Sequence, residues 1–319
     1  MEQGGKDMSE KLIVIGGTAA GLSAASKAKR MRPEMEIEVF EKSGYISYGA
    51  CGLPYFVGGI IERPEDLVSL TVDQITQKRG IPTYIHHEVT KINREKKTVT
   101  VRNLDSGEES VHPYDKLVIA TGARPIKPSI PGIEAEGVYY LRTVEDGIRL
   151  KQVVRSSDKK RTAIVGGGFI GLEVAEEMAL SGIEVHVFER LERLLPFLDE
   201  KFSSAVLDTL TKHGVTVHLG EDIDEILTDG DAVSGIKTAG GKTLSVDFVL
   251  MSIGVVPNTE LAKEAGLELG IKGAIAVNDE MQTSDPSVWA CGDCVQMRHR
   301  ITGRPVYIPL GTTANKQGR

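Results

Sequence analysis

One short grammar is written twice in this chain, and it leaves few folds open. The first copy is KLIVIGG (11–17), an apolar run that ends in glycine, followed by AGLSAASKAKRM, rich in small residues and good helix formers. EIEVFEK (36–42) then reads as a second strand that brings Glu41 to its end. The second copy is RTAIVGGGFIGLEVAEEMALSG (161–182), with IEVHVFER after it and Glu189 in the matching place. An apolar run that stops at glycine reads as a strand buried on both faces, the habit of parallel sheets. Gly16 and Gly166 lie 150 residues apart, and Glu41 and Glu189 lie 148 apart. A third feature keeps the order: KLVIATGARP (116–125) and FVLMSIGVVP (248–257) lead to Gly122 and Gly254, 132 residues apart. Each follows a predicted hairpin, TVTVRNLDSGEESVHPYD with an Asp-Ser-Gly turn and AVSGIKTAGGKTLSVD with a Gly-Gly turn. Three features in one order imply two related α/β domains.

Local signals fill in the rest. Thr71 and Gln74 make a capping box for a helix that Gly80 stops, and Thr143 with Asp146 opens a helix near 144–155. SSDKKR (156–161) reads as a polar linker. The N-terminal MEQGGKDMSE is polar, so it reads as a disordered extension or an appended remnant rather than a secretory leader, with Met8 an equally good start. A net charge of −7 argues against nucleic acid or an anionic membrane as the main partner, because both are met by clustered Lys and Arg. No apolar run approaches the roughly 18 residues of a membrane span. Three cysteines, Cys51, Cys291 and Cys294, are too few for a disulfide scaffold and point to the cytoplasm with at least one free thiol.

The glycines and acids state a chemistry. A diphosphate must approach backbone N–H groups at a helix start; glycine removes the Cβ in its way and the helix dipole favours the charge. A carboxylate about 20 residues on accepts hydrogen bonds from ribose hydroxyls. In the second copy Gly166, Gly168 and Gly171 fill G-x-G-x-x-G around Phe169 and Ile170, with Glu189 as the acid. In the first copy Gly16 and Gly21 fit, but Thr18 takes the middle place, followed by Ala19 and Ala20, and Glu41 is followed by Lys42. A ligand-free packing turn is the alternative at either loop. Glu189 repels a 2′-phosphate and favours NADH, whereas Arg190 and Arg193 can bind that phosphate and keep NADPH open.

Two further stretches complete a pattern. TSDPSVWACGDC (283–294) carries Gly292-Asp293 after a strand, and SYGACGLPYF (47–56) holds Cys51 among small residues. With both glycine loops and the ATG at 120–122, the chain resembles the pyridine nucleotide-disulfide oxidoreductases over about residues 11–319. Within them it resembles the single-cysteine branch of coenzyme A disulfide reductases, NADH oxidases and peroxidases, and NAD(P)H persulfide reductases. The fold implied is α/β, with two Rossmann-like three-layer domains for FAD and NAD(P), the second inserted in the first. The boundaries expected are 9–148 and 275–319 for the FAD domain and 149–274 for the NAD(P)H domain. Family members run on into a dimerisation domain, so the resemblance implies a homodimer for a longer chain and a chain cut short at Arg319.

The resemblance also assigns roles. Gly16, Thr18, Ala19, Ala20, Gly21, Glu41, Lys42, Val89 (through its backbone, at the adenine), Ala120, Thr121, Gly122, Asp293, Thr312 and Thr313 are expected at FAD. Gly166, Gly168, Phe169, Ile170, Gly171, Glu173, Glu189, Arg190 and Gly254 are expected at NAD(P)H. Phe56 stands where two-cysteine members carry their second thiol, so the partner of Cys51 comes from outside. Ala19 stands where peroxidases and water-forming oxidases carry a histidine, which favours coenzyme A disulfide or persulfide chemistry over peroxide. The thiolate is the nucleophile; Pro54 suits the first turn of a helix beside Cys51, and Ser47 can donate to the sulfur. Lys27, Arg30, Lys78 and Arg79 are expected at the CoA phosphates, with a solvated helix face as the bland alternative. Two other classes stay open: an NADH oxidase, and a non-catalytic redox sensor with a buried Cys51. Cys291 and Cys294 read as packed thiols, and His86 and His87 alone make no metal site, so none is expected.

Overall fold

In a computed structural model of the chain, residues 10–156, 158 and 160–319 are described. The N-terminal stretch before Glu10, with Met8, and two positions of the 156–161 linker lie outside the described residues. Backbone contacts divide the chain into two units. One gathers the described residues up to Tyr48 with Val68–Arg124 and Val256–Arg319, and the other gathers Gly49–Leu67 with Pro125–Val255.

In the first unit, Lys11–Ile15 lies parallel between Glu36–Phe40 and Lys116–Ile119, and Val288–Ala290 and Thr83–Tyr84 add at the two sides. The strand Lys11–Ile15 is apolar from Leu12 onward because both of its faces are covered there. Leu12 and Val14 point into one core with Ala25 of helix α1 (Ala19–Met31). Ile13 and Ile15 point into another with Val89, Val99 and Val101 of an antiparallel sheet, His87–Asn93, Thr98–Asn103 and Glu109–Pro113. The predicted hairpin is thus present, with a third strand before it. The capping box also forms: Gln74 N–H donates to Thr71 Oγ1 at 3.3 Å and Thr71 N–H to Gln74 Oε1 at 3.0 Å. The helix it opens is π-helical over Gln74–Lys78, and Gly80 ends it at φ +63°.

The second unit repeats this plan. Arg161–Val165 lies parallel between Glu184–Glu189 and Phe248–Met251, and Thr216–Leu219 and Val138–Tyr139 add at the two sides. Its covering antiparallel sheet is Ile223–Asp229, Ala232–Thr238 and Thr243–Ser245. Ile226, Val233 and Ile236 meet Ala163 and Val165 in one core. The segment Gly49–Leu67 adds α2 (Leu53–Gly58), which packs on α3 (Val144–Val154) and α4 (Phe169–Leu180). Gly147 on α3 leaves room for Leu53 and Phe56, whose side-chain carbons would lie 3.1 and 3.2 Å from a Cβ there. Helix α3 opens at the predicted Thr143 and Asp146, which there form a capping box.

Candidate dinucleotide and thiol sites

The two glycine loops are superposable in their details. Gly16 has φ +108° and Gly166 φ +109°. A Cβ on Gly16 would lie 2.2 Å from the Ala120 carbonyl oxygen, and one on Gly166 would lie 2.5 Å from that of Ser252. Gly21 and Gly171 let the helix press on the loop: a Cβ on each would lie 1.9 and 2.2 Å from the carbonyl oxygen of Gly16 and Gly166. The middle position obeys another rule. Thr18 has φ −105° and Gly168 φ −86°, both open to any residue, and a Cβ on Gly168 would have no atom within 4 Å. That is why Thr18 is accommodated in the first loop.

Each loop fixes its acid in the same way. Gly17 N–H donates to Glu41 Oε2 at 2.7 Å and Ser43 N–H to Oε1 at 2.9 Å. Gly167 N–H donates to Glu189 Oε2 at 2.8 Å and Leu191 N–H to Oε1 at 3.0 Å. A carboxylate has about four acceptor positions, so each keeps capacity for ribose hydroxyls. The helices start without a side-chain cap, and their first backbone bonds are Leu22 N–H to Thr18 O and Leu172 N–H to Gly168 O. Amides ahead of those bonds have no place in the helix ladder and are the donors a diphosphate takes. An uncapped helix start and a fixed acid fit a dinucleotide at both loops, with open space at Gly168 in the second.

Around the first loop, the structure gathers further expected residues. Gly292 packs on α1, where a Cβ would lie 2.8 Å from that of Ala20, and its N–H donates to Gln317 Oε1 at 2.7 Å. Asp293 is half-buried beside it, and its backbone carbonyl accepts from the Tyr307 hydroxyl at 2.8 Å. The helix Gly311–Gly318, with Thr312 and Thr313 in its first turn, packs on α1 through Ser23 and Asn315 (2.8 Å). Ala120 is buried, Thr121 Oγ1 donates to the Asn258 carbonyl at 2.6 Å, and Asn258 N–H donates to Gly122 O at 2.9 Å. Lys42 is exposed, and Val89 has a buried side chain and pairs with Val101. Asn258, Gln317 and, in the second unit, Ser252 (Oγ 3.0 Å from Val165 O) support the loops without any sequence signal.

In the second unit Phe169 and Ile170 are exposed at the start of α4, and the Phe169 ring lies 5.1 Å from that of Phe197. Glu173 is half-buried one turn on, and burial, with Glu176 nearby, raises its pKa above the usual carboxyl value. Arg190 is exposed, Gly254 has φ +111°, and the Arg193 guanidinium donates to the Pro196 carbonyl at 2.8 Å.

Cys51 is exposed and sits in the 3₁₀ turn Ala50–Gly52, which runs straight into α2 with Pro54 in its first turn. Phe56 is buried. Cys291 and Cys294 are buried too; burial drives both thiol pKa values up, that of Cys294 to about 11, so these two are inert packing groups. In the first unit, Ser47 has φ +49°, rare for a residue with a side chain. Its N–H donates to Gly17 O at 3.0 Å and its carbonyl accepts from Ser69 N–H at 2.8 Å, which together hold that conformation. Of the four cations, Arg79 reaches α1 through Nη1 to Ser26 Oγ at 2.9 Å, the neighbour of Lys27 and one turn from the exposed Arg30; Lys78 is exposed at the same helix end. His86 pairs with Asp105 at 3.0 Å and His87 with the Ile85 carbonyl at 2.7 Å.

The chain is similar to known proteins. An NAD(P)H coenzyme A polysulfide/persulfide reductase of Pyrococcus horikoshii is 36% identical over 314 residues, 98% of this chain and 69% of that protein. An NADH oxidase of Methanocaldococcus jannaschii is 39% identical over 97% of this chain and 68% of that one. The crystal structure of reduced Bacillus anthracis CoADR-RHD superposes with a TM-score of 0.94 at 37% identity, covering 98% of this chain. This chain spans 56% of the length of that structure. The family model described as pyridine nucleotide-disulphide oxidoreductase matches residues 10–318. The chain therefore belongs to the pyridine nucleotide-disulphide oxidoreductase family.

Proposed function

We propose that this chain is an FAD-dependent NAD(P)H oxidoreductase that reduces a disulfide, persulfide or polysulfide of coenzyme A through Cys51. One observation carries the reading: Cys51 is the exposed thiol of the chain, while the other two are buried and inert and Phe56 excludes a neighbouring partner. FAD, held by Gly16, Gly21, Glu41 and Asp293, would supply two-electron chemistry between the nicotinamide and sulfur. The Cys51 thiolate attacks one sulfur of the substrate disulfide; the S–S bond breaks and one CoA thiolate leaves. The resulting mixed disulfide takes the two electrons from NAD(P)H and a proton from solvent, which frees the second CoA thiol and restores Cys51. Glu41 and Glu189, each fixed by two backbone amides, orient the two dinucleotides, and Glu189 favours NADH over NADPH by opposing a 2′-phosphate. By the family resemblance, Ser47 donates a hydrogen bond to the sulfur. Lys27, Arg30, Lys78 and Arg79, from two adjoining helices, supply charge for the CoA phosphates. The names of the Pyrococcus and Bacillus relatives support this substrate class. The Methanocaldococcus relative supports a second reading, oxygen as acceptor. An exposed free thiol fits a reducing compartment and supports a cytoplasmic location, and the family resemblance supports a homodimer. Among the described residues no helix is long and apolar enough to cross a membrane.

The test is NADH consumption, aerobic and anaerobic, with CoA disulfide, polysulfide, CoA persulfide and peroxide. Anaerobic turnover with a CoA substrate is expected, and Cys51→Ser should lower it by roughly 10³-fold or more. Turnover that persists in Cys51→Ser sinks the thiol reading. Consumption confined to oxygen favours the oxidase, and a flavin-containing protein inert to all acceptors favours a redox sensor.

A further inference from the structure

Lys151 is a lysine where packing alone would place an apolar residue. It lies on α3 and is 7% exposed. Its Nζ donates to the carbonyls of Ile61 and Glu62 at 2.8 and 2.7 Å, and it stands 4.0 Å from the centre of the Phe56 ring. All three contacts fall on the segment that carries Cys51. That segment is closed on itself: Ile61 N–H donates to Tyr55 O at 3.1 Å, Gly49 N–H to Leu67 O and Gly52 N–H to Gly49 O, both at 2.9 Å. Gly52, the residue after Cys51, is packed on Ile61 and Leu67 so tightly that a Cβ would lie 3.2 and 2.7 Å from their side chains. A continuous path therefore runs from Lys151 through Ile61 and Gly52 to Cys51.

We propose that Lys151 is a positioning residue for Cys51, fixing the turn Ala50–Gly52 by gripping the carbonyls beyond α2. The inference rests on the reading of Cys51 as the reacting thiol. Supporting it, burial lowers the pKa of the ammonium, with Arg155 on the same helix acting in the same sense and Glu62 opposing. A group kept charged at a cost is held for its donors. Met would fill the same volume and leave two carbonyls without their donor.

Because Cys51 is the exposed thiol, its reactivity can be read directly. The experiment is the rate of Cys51 alkylation by iodoacetamide from pH 6 to 9.5, followed by mass spectrometry on the 319-residue protein. Lys151→Met should displace the rate–pH profile by at least threefold in rate. Leu150→Ala, a core truncation at the adjacent, fully buried position of α3, should leave it within twofold. Coincident profiles for Lys151→Met and wild type overturn the proposal, and so does an equal displacement in Leu150→Ala, which would make the effect mere destabilisation. Should Lys151→Met not accumulate folded, Lys151→Gln is judged by the same criteria. The outcome is independent of Cys51→Ser: disulfide reduction that survives there defeats the thiol reading whatever Lys151 does.

Discussion

Gly166 and Gly168 stand two residues apart in one loop and answer different demands. Gly166 has φ +109° and no room for a Cβ, whereas Gly168 has an ordinary backbone and open space. Gly166→Ala should lose about 2 kcal/mol or more of unfolding free energy, from the left-handed backbone and the contact with Ser252. Gly168→Ala should stay within about 1 kcal/mol of wild type, the usual cost of alanine at a helix N-cap, yet weaken NADH, on the proposal that the open space at Gly168 takes its diphosphate. Urea unfolding and NADH titration of both variants check this; equal stabilities, or unchanged NADH affinity in Gly168→Ala, would refute it. The G-x-G-x-x-G spacing made all three glycines legible but not their separate reasons, and Thr18 looked like a departure until the backbone showed that its place tolerates a side chain. Asn258 and Gln317 were not legible. A single Asn or Gln has no periodicity, and its role appears only when remote chain segments meet.

The paired strands Glu184–Glu189 and Thr216–Leu219 carry a titratable device of their own. His186 Nδ1 lies 3.2 Å from His218 Nε2, and the His218 ring stacks on Phe188 with centroids 4.3 Å apart. Burial first, then His186, pushes the His218 pKa below its usual 6.5, with Glu221 opposing and Lys242 acting in the same sense; Glu184 and Arg161 complete the charged surroundings. The folded state therefore binds fewer protons than the unfolded state below about pH 6.5, so stability rises with pH in that window and falls as pH drops through it. His218→Phe keeps the stack and removes the proton. It should flatten stability against pH in the range just below about 6.5, by at most ~1.4 kcal/mol per pH unit. Urea midpoints across that range measure it, and parallel curves would refute it. At this scale the strands ending in glycine, the hairpins, the Thr71–Gln74 capping box and the helix start at Thr143 were legible, because burial on two faces and turn chemistry leave strong patterns. Thr216–Leu219, Ile223–Asp229 and the helix Glu200–Lys212 were not, since short, half-exposed elements carry weak periodicity.

The duplication seen in the sequence became two units with the same sheet order, the same covering layer and the same fixed acid. What the pattern concealed is the membership of Gly49–Leu67, which groups with Pro125–Val255. That grouping depends on Gly147 leaving room for Leu53 and Phe56, a long-range fit with no local signature. Each unit has its own cores and its own loop, so a ligand at one loop should stabilise the unit that holds it. At about 100 times its Kd, a ligand that binds only the folded state adds about 2.7 kcal/mol. NADH at that concentration should therefore slow amide exchange in Arg161–Val165, Glu184–Glu189 and Phe248–Met251, the strands that lead to Gly166, Glu189 and Gly254, the residues proposed for NAD(P)H. Protection in Lys11–Ile15 and Glu36–Phe40 should change much less, because their loop is the one proposed for FAD. Hydrogen-exchange mass spectrometry of the FAD-loaded protein, with and without NADH, separates the outcomes. Protection gained equally in both sets of strands would mean that the two repeats open as a single cooperative body, and the independence of the units would be lost.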